Sequence, residues 1–342
     1  MTRRLTPLLP ILSALLIASL LILMLGENPL EVYQTLVRGS LGTSVKIADT
    51  LVVWTSLTIV SAGLLITFRA GQWNIGIEGQ IGMGAVFAFG VARLLWDSSG
   101  FVAIPAMLLA GIVGGVFWGL VVALLKIYGG VNEIFGGLAL NYVVNGLTIY
   151  LIAGPWKQIG SSNVSASETM PQSIWLPTIG NLRVSSVSLV LAVIVAVVVY
   201  LALRGTVWGL QLKAVGRNLR SAILLGVPTT RILLSAYLVC GACAGLAGAL
   251  LLAGFRHQLI PSISGGHGFL GILIVLLSAF NGAWLAPIAL FFAAASVGGT
   301  SLRISLGLDS SLGGVLIGLL VLAFELLQGI RARYFGRNPA KT

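Results

Sequence analysis

The chain of 342 residues is 57% hydrophobic and 8% charged, whereas ordinary globular domains carry about 25% charged residues. So little polar surface excludes a water-soluble protein of this size and predicts an all-α polytopic membrane protein. The formal net charge of +11 at pH 7 does not indicate nucleic-acid binding, because the basic residues are scattered at the ends of apolar runs.

Uncharged apolar runs predict about ten transmembrane helices, some of them discontinuous. A helix of about 20 apolar residues crosses the hydrocarbon core, and residues 184–203 form such a run between two arginines. The uncharged run 268–302 is too long for one crossing, so a break near Asn281 and Pro287 divides it into a hairpin. The predicted spans are residues 8–25, 50–67, 74–95, 101–125, 132–153, 185–203, 232–254, 268–281, 285–301 and 312–330.

The distribution of basic residues predicts the orientation in the membrane. The run 8–25 is longer than a typical signal-peptide core and no clear small-x-small cleavage site follows it, so we expect a retained first span. With the N-terminus inside, thirteen of the 20 Lys and Arg residues fall in inside segments and seven fall outside. This bias predicts that both termini are cytoplasmic, with an inside loop at about 204–231 and an outside loop at about 155–184.

The residues that usually carry chemistry are sparse. Cys240 and Cys243 share one apolar run and one helix face, so they are expected to be buried packing thiols. The two histidines, His257 and His267, lie on other segments, and this spacing predicts no metal site. Since the sequence contains neither a nucleophile–base pair nor a P-loop motif, no catalytic residue and no ATPase activity are expected in this chain.

Polar residues inside apolar runs are the candidates for a functional site. The stretch "AGQWNIGIEGQIGMGA" (70–85) places Asn74, Glu78 and Gln80 among glycines. Small residues and polar hydrogen bonds can join helices, and the same pattern can form a discontinuous helix that lines a translocation path. The carboxylate of Glu78 favours the second interpretation, because an intramembrane carboxylate is costly and usually faces a cavity or a partner.

Two further clusters follow along the chain. In "GGVNEIFGGLALNYVVNG" (129–146), Asn141 and Asn145 share a helix face and could contact either a neighbouring helix or a polar solute. Glu133 in the same stretch fits a helix start, where the macrodipole favours a carboxylate. In "SISGGHGFLGILIVLLSAFNG" (262–282), His267 is either a structural hydrogen-bonding group or a gate residue. The candidates for the path or its gates are Asn74, Glu78, Gln80, Asn141, Asn145 and His267.

Four motifs in a fixed order carry a resemblance that covers about residues 50–330. This part of the chain resembles the membrane permease of an ATP-binding-cassette importer, in the branch that handles ribose, branched-chain amino acids and nucleosides. The resemblance is strongest to the nucleoside type. The motifs are "GQWNIGIEGQ" (71–80), "VNEIFGGLALNYV" (131–143) followed by "GPWK" (154–157), "AVGRNLRSAILLGV" (214–227) and "GGHGFLGILIVLL" (265–277).

The resemblance implies a single transmembrane permease domain over residues 1–342, in the cell membrane of a prokaryote and surrounded by its lipid. It implies a second permease subunit (a copy or a paralogue), a cytoplasmic ATPase that binds the ATP, and an extracytoplasmic solute-binding protein or lipoprotein. The chain itself would hold no cofactor. Nucleosides are the expected solute; simple sugars, branched-chain amino acids and an ion-coupled secondary transporter are the alternatives.

The resemblance also places the coupling to the ATPase in the inside loop. There "VGRNLRSAILLGV" would form a short helix, with Arg217, Asn218 and Arg220 near the docking surface. Ala222, Leu224 and Leu225 would pack, and the two leucines belong to the same coupling element. The alternative is an ordinary basic cytoplasmic loop that follows the positive-inside rule.

Overall fold

A computed structural model describes residues 9–24, 26–157, 165–307 and 311–334. In these residues the secondary structure is helical, with two isolated β-bridges and no β-strand. The α-helices are α1 Leu9–Met24, α2 Pro29–Leu41, α3 Ser44–Arg69, α4 Ile77–Leu94, α5 Gly100–Ile127, α6 Glu133–Ala153, α7 Ser186–Gly205, α8 Val207–Arg217, α9 Leu219–Leu224, α10 Thr229–Leu251, α11 His267–Leu277, α12 Leu285–Leu306 and α13 Leu312–Tyr334.

Each of the ten predicted spans coincides with one helix, but the predicted number of spans is not confirmed. Within the described residues, six helical segments are long and apolar enough to cross a membrane, or seven if the pair α1 and α2, bent by 111°, is one span. α11 has only 11 residues, about 16 Å of helix against a hydrocarbon core of about 30 Å. The glycines of α4, together with Glu78 and Gln80, lower its mean hydropathy, and α4 is not among the six segments.

α2 and most of α8 lie in segments for which the sequence predicted no helix, whereas α9 lies within the short helix predicted for the inside loop. α2 begins with Pro29 after Asn28, whose side chain accepts a hydrogen bond from the Leu30 N–H at 3.0 Å. α8 begins after Thr206, whose hydroxyl accepts from the Gly209 N–H at 3.0 Å. α9 follows α8 directly. These side chains satisfy N–H groups that have no partner inside the first turn of a helix.

Breaks in the helices occur where polar residues and glycines are concentrated. Residues 70–76 separate α3 from α4. α10 continues into a π-helical turn, Leu252–Arg256, and α11 begins only after Gly265 and Gly266, which have φ angles of 58° and 83°. The predicted hairpin break is present between α11 and α12. Pro287 itself lies in the first turn of α12, where a missing N–H costs nothing.

The described residues form two compact units. The first comprises the residues up to Thr50 and from Leu290 onward. In this unit α1 packs against α13. Its core consists of Ile22, Val32, Leu36, Leu302 and Leu312.

The second unit, Leu51–Ala289, is centred on α4, α5 and α10, which pack against one another. Glycines make this contact so close that a Cβ on Gly245 would lie 2.0 Å from the Gly111 carbonyl oxygen. A Cβ on Gly84 would lie 2.4 Å from the Cα of Gly245. Cys240 and Cys243 are buried in α10, as predicted.

Candidate functional site

A cavity of about 250 Å³ lies between α4, α6 and the segment that leads into α11. It brings together three of the predicted path residues, Glu78, Asn141 and Asn145. The full lining is Glu78, Gly79, Gly82, Leu138, Asn141, Tyr142, Val144, Asn145, Thr148, Ser262, Ile263, Ser264, Gly266 and Phe269.

The cavity lies near the middle of α6. Asn141 follows the first residue of this helix by about 12 Å of helical rise, and Asn145 by about 18 Å, in a helix that is about 31 Å long. Hydrogen-bonding groups at this depth are away from the polar ends of a transmembrane helix. Such groups are stable there only when they are paired or line a polar cavity.

The Glu78 carboxylate joins α4 to α11. Glu78 lies in the first turn of α4, and its Oε1 accepts hydrogen bonds from the backbone N–H groups of Gly268 at 2.7 Å and Phe269 at 3.2 Å. Both N–H groups belong to the first turn of α11 and have no partner within that helix. The positive ends of two helix dipoles therefore meet at one carboxylate.

The two asparagines of α6 bond to the backbone of the first turn of α4 and of the irregular segments that precede α4 and α11. Asn141 Oδ1 accepts from the Gly79 N–H at 2.8 Å, and its Nδ2 donates to the Ile75 carbonyl at 3.0 Å. Asn145 Oδ1 accepts from the Ser262 N–H at 3.1 Å, with the Ser262 hydroxyl 3.2 Å away. α6 thus supports both helix breaks that border the cavity.

The remaining three predicted path residues do not line this cavity. Asn74 and Gln80 are fully buried, and their amides exchange two hydrogen bonds of 3.1 and 3.2 Å. Asn74 Nδ2 also lies 3.2 Å from Cys240 Sγ. His267, the first residue of α11, pairs its Nδ1 with the Ser56 hydroxyl at 2.9 Å. These contacts match the helix-packing interpretation for the three side chains.

Sequence reasoning missed several residues of the cavity wall. Tyr142 and Phe269 expose 77% and 45% of their surfaces and supply aromatic faces beside the asparagines and Glu78. Ser262 and Ser264 add hydroxyl groups. The quoted clusters contain all four, but a single sequence does not reveal which side of a re-entrant segment faces a cavity.

The segment predicted as the inside loop departs from its predicted form. "VGRNLRSAILLGV" is not one helix: α8 ends at Arg217, and Asn218 caps α9 by accepting from the Ser221 N–H at 3.0 Å. Ala222 is buried as expected. The expected packing of Leu224 and Leu225 is wrong within this chain, because they are 88% and 78% exposed.

Arg217, Asn218 and Arg220 are exposed as well. They accompany apolar side chains that are more than half exposed on α8, α9 and the residue after α9. These apolar residues are Val207, Leu210, Ile223, Leu224 and Leu225.

The Asn-Glu pair before α6 has a local structural role. Asn132 Oδ1 accepts from the Ile134 N–H at 2.9 Å and caps the helix. Glu133 forms an ion pair with Lys126 near the end of α5. Both contacts correspond to the helix-start interpretation.

On the predicted outside, residues 165–185 lie across the end of α10. Backbone hydrogen bonds join Ser167 to Leu259 and Met170 to His257, each at 2.8 Å. The Trp175 indole stacks on the His257 ring with centroids 3.7 Å apart and an interplanar angle of 8°. The rest of this predicted loop, residues 158–164, lies outside the described residues.

Comparison with known proteins places these features in a family. Residues 46–324 match the family model described as "Branched-chain amino acid transport system / permease component". A glucose ABC transporter permease protein of Haloferax volcanii is 29% identical over 327 residues, which cover 93% of this chain and 86% of that protein.

Two further relatives are named as permeases for nucleosides. A nucleoside ABC transporter permease protein of Lactococcus lactis is 27% identical, covering 85% of this chain and 80% of that protein. A guanosine ABC transporter permease protein of Bacillus subtilis is 26% identical, covering 96% and 94%. Since the family model spans most of the chain, and six helical segments in the described residues could cross a membrane, this chain belongs to the permease-component family of ABC transporters.

Proposed function

We propose that this chain is the non-catalytic permease subunit of an ATP-driven nucleoside importer, with the cavity between α4 and α6 as part of the solute path. The observation that carries this proposal is the position of Glu78, Asn141 and Asn145 around one cavity half-way along a membrane helix. Discontinuous helices that meet near the membrane midplane are the usual way in which transporters build a solute site.

The chemistry of the wall supports a neutral polar solute with an aromatic part. Asparagine amides and serine hydroxyls can both donate and accept hydrogen bonds, as ribose and a nucleobase require. Tyr142 and Phe269 offer faces on which a base can stack. The names of the relatives from Lactococcus lactis and Bacillus subtilis agree with this substrate class.

Branched-chain amino acids fit the same wall less well. Their carboxylate needs a cation or several free N–H donors, and the lining contains no Lys, Arg or His. Glu78 could face an ammonium group, but its Oε1 already accepts two N–H groups of α11. A simple sugar remains the second candidate, because it is neutral and because one relative is named a glucose permease.

Coupling to a separate ATPase is assigned to α8 and α9. Exposed leucines beside exposed arginines form an amphipathic surface that a groove of a cytoplasmic partner can accept. ATP would be bound and hydrolysed by that partner. The outside segment 165–185 is the corresponding place for contact with a solute-binding protein.

A second permease subunit, a copy or a paralogue, would complete the path on the side of α6. Within this chain, only 17% of the 18-residue apolar stretch of α6 is buried. Phe135, Tyr142 and Tyr150 are each more than 65% exposed on this helix. A facing subunit would cover these rings and close the open side of the cavity.

Uptake of labelled adenosine and uridine in the native cell, with and without the gene, tests the substrate. Unlabelled ribose, xylose and leucine serve as competitors. Uptake that is lost on deletion and resists these competitors supports nucleosides. Unchanged nucleoside uptake would reject them and shift the assignment to sugars or another small polar solute.

Cysteine labelling tests the path. Leu138→Cys places a thiol in the cavity wall, and Ala139→Cys places one on an exposed part of α6 outside it. The native Cys240 and Cys243 are buried and give a low background. We expect a hydrophilic thiol reagent to label Leu138→Cys, and adenosine to protect it. Equal labelling of both variants, unaffected by adenosine, would reject the cavity as the path.

A further inference from the structure

A second cavity, of about 360 Å³, lies at the ends of α3 and α7, on the side that the basic residues assign to the cytoplasm. α8 borders it, as does the break between α11 and α12. Its lining is Leu65, Arg69, Tyr200, Leu203, Arg204, Lys213, Phe280, Asn281, Gly282 and Ala283.

Three cations converge on this cavity from three helices. Arg69 ends α3, Arg204 lies in the last turn of α7, and Lys213 lies within α8. The lining contains no acidic residue, and none of the three cations forms an ion pair with a carboxylate in the described part of the chain. Arg217, the last residue of α8, adds a further positive charge that acts on Arg69.

The hydrogen bonds that Arg69 and Arg204 form do not use all of their guanidinium N–H donors. Arg69 Nη2 donates to the Phe280 carbonyl, but its Nε is buried without a hydrogen-bond partner among the described residues. The Arg204 guanidinium donates to the Tyr200 hydroxyl and lies 5.6 Å from the centre of that ring. A buried guanidinium N–H without a partner is costly, and an anion is the ligand that satisfies it best.

Helix dipoles explain only part of the arrangement. A cation in the last turn is favoured by the negative end of a helix, which accounts for Arg69 and Arg204 taken singly. It does not account for Lys213, which lies inside α8 and faces the same space. Like charges around one cavity repel each other unless an anion lies between them.

We propose that this cavity binds a phosphate-bearing anion. The two arginines can each present parallel N–H groups to phosphate oxygens, and Lys213 supplies a point charge. The phosphate is either the headgroup of an anionic lipid in the cytoplasmic leaflet or a free phosphate from the cytosol. Once bound, it links the ends of α3 and α7 to α8, the helix that leads into the exposed α9.

Binding measurements on the full-length chain test the proposal without relying on transport. The chain is stripped of lipid in a neutral detergent, and native mass spectrometry then measures retention of phosphatidylglycerol against phosphatidylcholine. In parallel, the thermal midpoint is measured in sodium phosphate and in sodium chloride of equal ionic strength. The variants are Arg204→Gln and Lys213→Gln. Arg69 is kept, because its bond to Phe280 supports the fold.

Arg231→Gln is the matched control, since Arg231 is exposed in the first turn of α10 and does not line the cavity. We expect wild type and control to retain phosphatidylglycerol, and Arg204→Gln and Lys213→Gln to bind it roughly tenfold less tightly, as one lost charge-assisted hydrogen bond predicts. If only inorganic phosphate distinguishes wild type from these variants, the source is free phosphate. Anion binding that is equal in all four proteins, or lost equally in the control, would overturn the site.

Discussion

The Glu78 carboxylate accepts the backbone N–H of Gly268 at 2.7 Å, so one side chain holds the start of α4 to the start of α11. This contact is made at a helix break, where backbone N–H groups have no partner of their own. Glu78 therefore has two roles in our proposal: it lines the cavity, and it caps the helix that closes one side of it.

Substitution of Glu78 should separate these roles. Glu78→Leu leaves the Gly268 and Phe269 N–H groups without an acceptor, at a cost of about 1–3 kcal/mol for each. Glu78→Gln keeps an acceptor oxygen in place. We expect the leucine variant to show a clearly lower thermal midpoint in detergent and the glutamine variant to stay near wild type. Equal midpoints for the two variants would contradict the capping role.

A change in α10 should test the close packing of the second unit. Gly245→Ala places a Cβ 2.0 Å from the Gly111 carbonyl oxygen, so α5 and α10 must separate. Overpacking of this kind costs about 1–3 kcal/mol or more. We expect a large loss of monodisperse protein in size-exclusion chromatography. Gly146→Ala is the control, since a Cβ there meets nothing within 4 Å. A normal yield of Gly245→Ala would show that the contact can relax.

Charge reversal in the inside loop should test coupling. The double variant Arg217→Glu with Arg220→Glu changes two exposed side chains and should leave membrane insertion intact. We expect solute uptake to be abolished, because the ATPase would no longer dock. Arg231→Glu changes an exposed arginine in the first turn of α10, outside α8 and α9, and should retain uptake. Normal uptake by the double variant would reject the coupling assignment.

Acidification should loosen the outside segment through His257. Burial against Trp175 lowers the pKa of His257 below its ordinary value of 6.5. The neutral ring is therefore favoured in the folded state, and this stabilisation is present above about pH 6.5 and is lost as the pH falls through the lowered pKa.

The thermal midpoint should therefore fall between pH 7 and pH 4.5 by more in wild type than in His257→Gln, whose side chain does not titrate. Other groups contribute equally to both proteins, so the difference between them reports His257. The same fall in both would exclude a contribution from this histidine.

Much of the helical framework could be predicted, because apolar runs bounded by charges leave few alternatives. The span predicted at 101–125 is α5, Gly100–Ile127, and the break after Arg69 follows from glycines and polar residues in an apolar context. α2 was missed because it carries Glu31 and Arg38 and is amphipathic rather than uniformly apolar. Its start signals, Asn28 followed by Pro29, are present in the sequence.

Three of the six candidate residues, Glu78, Asn141 and Asn145, line the cavity, and the sequence pattern could not indicate which of the six would do so. Glu78 and Gln80 are two positions apart on α4 and cannot face the same side of a helix. Glu78 faces the cavity, whereas Gln80 turns inward and pairs with Asn74. Two amides can exchange two hydrogen bonds with each other, so a buried pair and a solute-binding pair look alike in sequence. The contact of Asn145 with Ser262 joins residues 117 positions apart, and no local pattern specifies it.

The glycine contact among α4, α5 and α10 has a consequence for motion. Where backbone meets backbone, there is no side chain whose rotamer could change to accept a new offset between the helices. The three helices should therefore turn as one rigid body during a transport cycle. The hinges then fall at the stretches without regular helix, residues 70–76 and 257–266, and these are the stretches that Asn141 and Asn145 hold from α6. A solute that displaced either asparagine from its backbone partner would release a hinge, so occupancy of the cavity and freedom to move would be linked through the same amide groups.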